Sequence, residues 1–180
     1  MKATGIVRRI DDLGRVVIPK EIRRTMRIRE GDPLEIYTSR DGEVIFKKYS
    51  LLEGMEDFAG QLCDTMSRST GNICAVADRD TVIAVAGGGR RELMGKRITP
   101  ELEQIMEGRR IYQFTGEGPL LPVSDSNDKL LAHVAAPILA EGDLLGLVLF
   151  VSTETTPVTG DAEYKLAQTI AAFLGRHMEA

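Results

Sequence analysis

Apolar positions change period several times along the first fifty residues, and each change marks an element. Thr4 to Ile10 reads as a strand, Asp11 to Gly14 as a turn, and Arg15 to Ile18 as a β-branched return strand. Pro19 supplies a preset φ at the first helical position, where its missing N–H costs nothing. In the helix that follows, Ile22 and Met26 lie four apart and share a face, which leaves Arg23, Arg24 and Arg27 on the other. After a polar loop from Arg29 to Pro33, Leu34 to Tyr37 alternates and Asp41-Gly42 signals a hairpin turn. Glu43 to Lys48 returns with Val44 and Phe46 on one face. The order is strand, strand, short helix, strand, strand.

The period becomes helical again at Leu51. Leu51, Met55, Phe58 and Leu62 recur at spacings of 4, 3 and 4, with Leu52, Ala59 and Cys63 alongside, and predict a helix to Ser67. So short a seam suits packing on its own domain and pairing of subunits equally. Gly71 to Ala77 and Thr81 to Ala86 then read as strands joined at Asp78-Arg79-Asp80. A loop and helix lead to Met106, a strand spans Ile111 to Thr115, and a Gly/Pro/Ser-rich loop runs from Gly116 to Asp128. A hairpin follows, with arms Leu130 to Leu139 and Leu144 to Ser152. The last helix starts near Thr159 as its cap, has Asp161 and Glu163 in its first turn, and runs to Met178 on Leu166, Ile170, Phe173 and His177.

Charge divides the chain at the same place as the pattern. Residues 1–50 hold 12 Lys+Arg against 8 Asp+Glu, a net of +4; residues 51–180 hold 11 against 19, a net of −8, giving the overall −4. The acidic total therefore does not exclude nucleic acid, because binding depends on where the positive charge sits. About a dozen large apolar residues in fifty make a poor independent core, and two-stranded hairpins are marginal alone, so something must cover them. Cys63 and Cys74 are too few and too far apart for a disulfide framework, which fits a reducing cytosol. The N-terminus lacks an apolar leader pattern and Leu144 to Val151 is too short to span a bilayer, so a soluble, cytoplasmic protein is expected.

The segment Thr4-Gly5-Ile6-Val7-Arg8-Arg9-Ile10-Asp11-Asp12-Leu13-Gly14-Arg15-Val16-Val17-Ile18-Pro19, continued by Arg23-Arg24 and Gly31-Asp32, sets basic, glycine and proline positions together. It closely resembles the AbrB-type DNA-binding domain of transition-state and sporulation regulators, from Met1 to Tyr49. That resemblance implies a barrel of hairpins swapped between two chains, an obligate dimer, and DNA contacts at Arg8, Arg15, Arg23 and Arg24. Arg9 is adjacent, and Lys2, Lys20 and Arg27 are further candidates. Guanidinium suits the task, since its planar fork binds phosphate or the O6 and N7 of guanine. A helix-turn-helix is excluded, because the helix after Pro19 is followed by a strand at Leu34 and not by a second helix.

From Leu51 to Met178 the strand pattern, and above all "APILAEGDLLGLVLFVSTE" followed by "TPVTGDAEYKLAQTIAAFLG", resembles a GAF domain. The resemblance implies a ligand sensor or a dimerisation module, and names no ligand. Gly95-Lys96 lacks both the upstream glycine and the following hydroxyl of a phosphate-binding loop, and Gly87-Gly88-Gly89 fails the dinucleotide fingerprint at Glu92. The triple glycine reads as a flexible strand-to-helix loop, or as a flap over a pocket. His133 and His177 show no metal spacing, and Cys63 and Cys74 read as packing residues.

The sequence thus predicts an α+β protein of two domains, 1–50 and 51–180, with 51–68 connecting them. The family resemblance implies the role of a non-enzymatic, nucleoid-associated transcription factor of endospore development, activator or repressor, without cofactor or metal. It would bind double-stranded DNA as a dimer and pair again through helices into a homotetramer. The alternatives are an AbrB-type antitoxin and a small-molecule-binding GAF protein with no DNA role.

Overall fold

The structure is a computed structural model that describes residues 4–154, 157 and 160–179. Lys2 and the predicted cap Thr159 lie outside the described residues. Two compact units divide the chain, Met1–Tyr49 and Ser50–Ala180.

The first unit holds α1 (Lys20–Met26), β1 (Leu34–Thr38) and β2 (Val44–Lys48). The strands pair antiparallel from Leu34↔Lys48 to Thr38↔Val44, closed by Ser39 N donating to Glu43 O at 3.0 Å. Residues 4–18, expected as two strands, carry no strand assignment. A strand exists only by pairing, and within one chain the two arms meet only at the turn, where Gly14 N donates to Asp11 O and Asp11 N to Arg15 O, both at 3.0 Å. Their side chains are uncovered as well: Val7 is 87% exposed and Val17 69%. Pro19 sits one place earlier than expected, as the cap with ψ 150°; its carbonyl accepts from Arg23 N at 2.9 Å.

The second unit is an antiparallel sheet built from β3 (Ile73–Asp78), β4 (Val82–Ala86), β5 (Tyr112–Gln113), β6 (Leu121–Ser124), β7 (Asn127–Ala140) and β8 (Asp143–Ser152). Strand order is β4-β3-β8-β7-β5, and β6 also pairs with β7. Side chains alternate between two buried faces. Cys74, Val76, Val148 and Phe150 meet α2 (Glu56–Thr70) and α5 (Asp161–His177). Ala75, Ala77, Leu147 and Leu149 meet α3 (Arg90–Leu93) and α4 (Pro100–Glu107). Coverage on both faces is why β8 reads as an unbroken apolar run.

Several predicted elements shift. Residues 51–55 form turns, with Met55 N donating to Leu52 O at 3.1 Å, and α2 begins only at Glu56. The buried row of that helix is Ala59, Cys63 and Met66; Met55, Phe58 and Leu62 of the predicted seam are half-buried. In α5 the buried row is Ala167, Ala171, Leu174 and Gly175, while Phe173 is 47% exposed. Close approach explains the choice of small residues: a Cβ at Gly175 would collide with the Leu139 carbonyl oxygen of β7. Part of the predicted Gly/Pro/Ser-rich loop is β6, whose Leu121 and Val123 are buried. The triple glycine is packed, not a free flap, since a Cβ at Gly87 would meet the Ser67 hydroxyl and the Asn72 carbonyl.

His133 is the extra residue of a β-bulge in β7, between the pairs Ala132↔Val151 and Val134↔Phe150. Its ring is fully buried, 6.2 Å from that of Phe150. Burial pulls its pKa below the ordinary histidine value against the opposing pull of Glu163. Burial likewise pushes the Cys63 thiol up to about 12 and raises Cys74, so both stay protonated packing groups. Among the described residues no group of His, Cys, Asp and Glu could hold a metal ion, and no helix is long and apolar enough to cross a membrane.

Candidate nucleic-acid interface

The cations of the first unit are placed by two local devices. At the Asp11 turn, the carboxylate accepts from Leu13 N at 3.0 Å and Arg15 N at 2.7 Å, and its second oxygen holds Arg15 Nε at 2.8 Å. The Arg15 backbone N–H, and then its guanidinium, hold the Asp11 carboxyl below the usual carboxylate value. One edge of the Arg15 guanidinium is thereby oriented, while the side chain remains 69% exposed and keeps its other N–H groups outward.

The second device is the end of α1. Arg23 and Arg24 lie in its last turn, where the helix dipole favours cations. The helix closes with Ile28 N donating to Arg23 O at 2.8 Å and Arg27 N to Arg24 O at 3.3 Å, the paired bonds of a Schellman motif. Arg27 occupies the left-handed position, φ 51°. This corrects the expectation that Arg27 shares the outward helical face with Arg23 and Arg24: it lies past the helix end and is half-buried. Its carbonyl accepts from Lys48 Nζ at 2.8 Å, and Lys48 also stands 3.8 Å from Asp32. Lys48 therefore ties β2 to the end of α1. Sequence spacing offered no signal for that role, because the partners are 21 residues apart.

Arg8, Arg9, Lys20, Arg23 and Arg24 are exposed and form no ion pair among the described residues. Around these cations the apolar surface is also open. Thirteen of the fifteen exposed large apolar side chains lie in residues 4–49, among them Ile36, Val44 and Phe46, and no apolar residue there is fully buried. Such a patch marks an interaction surface.

A cationic helix-and-hairpin unit followed by a GAF-like sheet defines the class of a DNA-binding regulator. Residues 54–179 match the family model described as stage V sporulation protein T C-terminal, transcription factor. Residues 7–51 match the one described as antidote-toxin recognition MazE, bacterial antitoxin. Stage V sporulation protein T of Bacillus subtilis (strain 168) is 47% identical over 179 residues, 99% of each chain. The chain belongs to the stage V sporulation protein T family of transcription factors. Its N-terminal part is 63% identical over 49 residues to transition state regulatory protein AbrB of the same organism, covering 27% of this chain and 50% of that one. The second unit is similar in fold to the GAF domain of an Acinetobacter phosphoenolpyruvate-protein phosphotransferase, with a TM-score of 0.51 and 12% identity over 74% of this chain and 84% of that one.

Proposed function

We propose that the first unit pairs with its counterpart in a second copy as a swapped-hairpin barrel and presents Arg8, Arg15, Arg23 and Arg24 to duplex DNA, with Arg9 and Lys20 beside them and Lys2 as a further candidate from the sequence. The observation that carries this reading is the coincidence of an uncovered apolar surface with Arg8, Arg9, Arg23 and Arg24, which form no ion pair among the described residues, in one 49-residue unit. A partner chain covers the first and doubles the second. Arginine dominates the outward positions, so we expect modest base specificity supported by DNA shape and bending. Control of endospore-development genes from the cytoplasm, by activation or repression and without catalysis, is the role this assigns to the whole chain.

The test is the variant Arg23→Ala with Arg24→Ala. Both side chains are outward and unpaired, so the expected outcome is loss of DNA binding with the dimer intact, and a salt slope lower by about one for each phosphate contact removed. Wild-type affinity and slope in that variant would refute the assignment.

The second unit supports assembly through its exposed helix ridge. Phe58 of α2 stacks on His177 of α5 at 4.9 Å and lies 6.0 Å from Phe173. Pairing of this ridge between dimers would give a tetramer able to bridge two DNA segments. One observation favours ligand sensing as a second role: an open cleft of about 410 Å³ beside α5, lined by Ile111, Pro137, Gln168, Arg109 and Arg176 among others. Thermal shifts against a metabolite panel separate the roles.

A further inference from the structure

Four of the eleven Lys and Arg residues after residue 50 fall within eight positions, Arg90, Arg91, Lys96 and Arg97, with Glu92 as the one acid between them. The fold sets Lys96 and Arg97 along the β4 edge of the sheet, and Arg90 and Arg91 on α3, the single helical turn that leads into that segment. Segment 95–97 runs along β4, with Val82 N donating to Lys96 O at 2.9 Å, Gly95 N to Val82 O at 2.8 Å, and Arg97 bridged to Thr81. The adjoining turn of α3 is anchored by Leu93, which is fully buried. All four cationic side chains are exposed, and none pairs with a described acid. In a unit whose net charge is −8, a rigid strip of unpaired cations is an anomaly that folding does not explain, since every one of these heads faces water.

We propose that this edge is a second DNA contact, made by the C-terminal unit to the phosphate backbone. One observation favours duplex DNA over an acidic protein partner. No large apolar or aromatic side chain is exposed along the strip, whereas a protein interface is centred on such anchors. Cations on a fixed backbone are sufficient for phosphate contact, which carries no sequence information. Covalent linkage to the first unit keeps bound DNA at high effective concentration near the second, so individually weak contacts add to affinity. The inference rests on the DNA-binding reading above and extends it to a separate surface.

The experiment compares full-length protein with the variant R90Q/R91Q/K96Q/R97Q and with a charge-matched variant, R68Q/R110Q/K129Q/K165Q, altered at exposed cations elsewhere on the same unit. Affinity for a long operator duplex and for random duplex is followed against salt concentration. The edge variant is expected to lose tenfold or more on both duplexes, with its salt slope lower by up to about 3.6 per engaged subunit, while the charge-matched variant loses much less. Unchanged binding by the edge variant, or equal loss in both variants, overturns the proposal. So does a change in oligomeric mass with DNA affinity retained, because the strip would then be a subunit contact. The smaller variant R90Q/R91Q covers any misfolding of the fourfold one, as judged by thermal melting, and is expected to show about half the slope change. If the wild-type chain itself fails to bind duplex DNA, the DNA-binding reading falls first, which distinguishes the two failures.

Discussion

At the scale of single residues, the site depends on how short side chains hold long ones. Asp11 orients Arg15 by accepting from both its backbone and its side chain. The folded-state pKa of Asp11 lies below its ordinary 3.8. The stabilisation it supplies is therefore present above that value and is lost as pH falls through the lowered one. A carboxyl titration by NMR should place the Asp11 midpoint under 3.8. Arg15→Ala should raise it only part of the way, because the Arg15 N–H remains. A midpoint at or above 3.8 in the wild type would show that the turn is not closed in solution. Lys48 and Arg27 work in the opposite sense, with a cation spent on holding a carbonyl and the backbone past α1.

At the scale of elements, helix packing distance decides which residues are buried. Helix propensity alone would make Gly175→Ala a gain of up to ~1 kcal/mol. The approach of α5 to the Leu139 carbonyl reverses that sign: we expect a loss of about 1 to 3 kcal/mol from overpacking, read as a lowered melting temperature of the second unit. A raised one would place α5 farther from β7 than described. The same closeness accounts for the row of Ala167 and Ala171 under α5 and for the larger Leu166, Ile170 and Phe173 at its flanks. Periodicity identified the helix correctly and its inward face by one residue wrongly, because pattern reading assigns the largest side chains to the core.

At the scale of the whole molecule, two cores of different kinds lie in one chain. The second unit buries both faces of its sheet. The first buries no apolar residue completely, so the proposed pairing of two copies would make its stability depend on protein concentration. Substituting Phe58→Ala and Phe173→Ala together removes two rings of the exposed ridge. On the proposed ridge pairing, sedimentation should then show the particle mass falling from tetramer to dimer, with DNA binding retained. A tetramer that survives both changes would move the second contact elsewhere.

Charge segregation, the turn at Asp11 to Gly14, the short helix with Arg23 and Arg24, and the strand from Leu144 to Ser152 were all legible in the sequence, because each rests on neighbours in the chain. Tertiary structure alone placed Arg27 past the helix end, turned β6 out of a polar loop, set small residues under α5, and laid Lys96 and Arg97 along the β4 edge. Those outcomes depend on distances between segments far apart in the chain, and local periodicity carries no information about such distances.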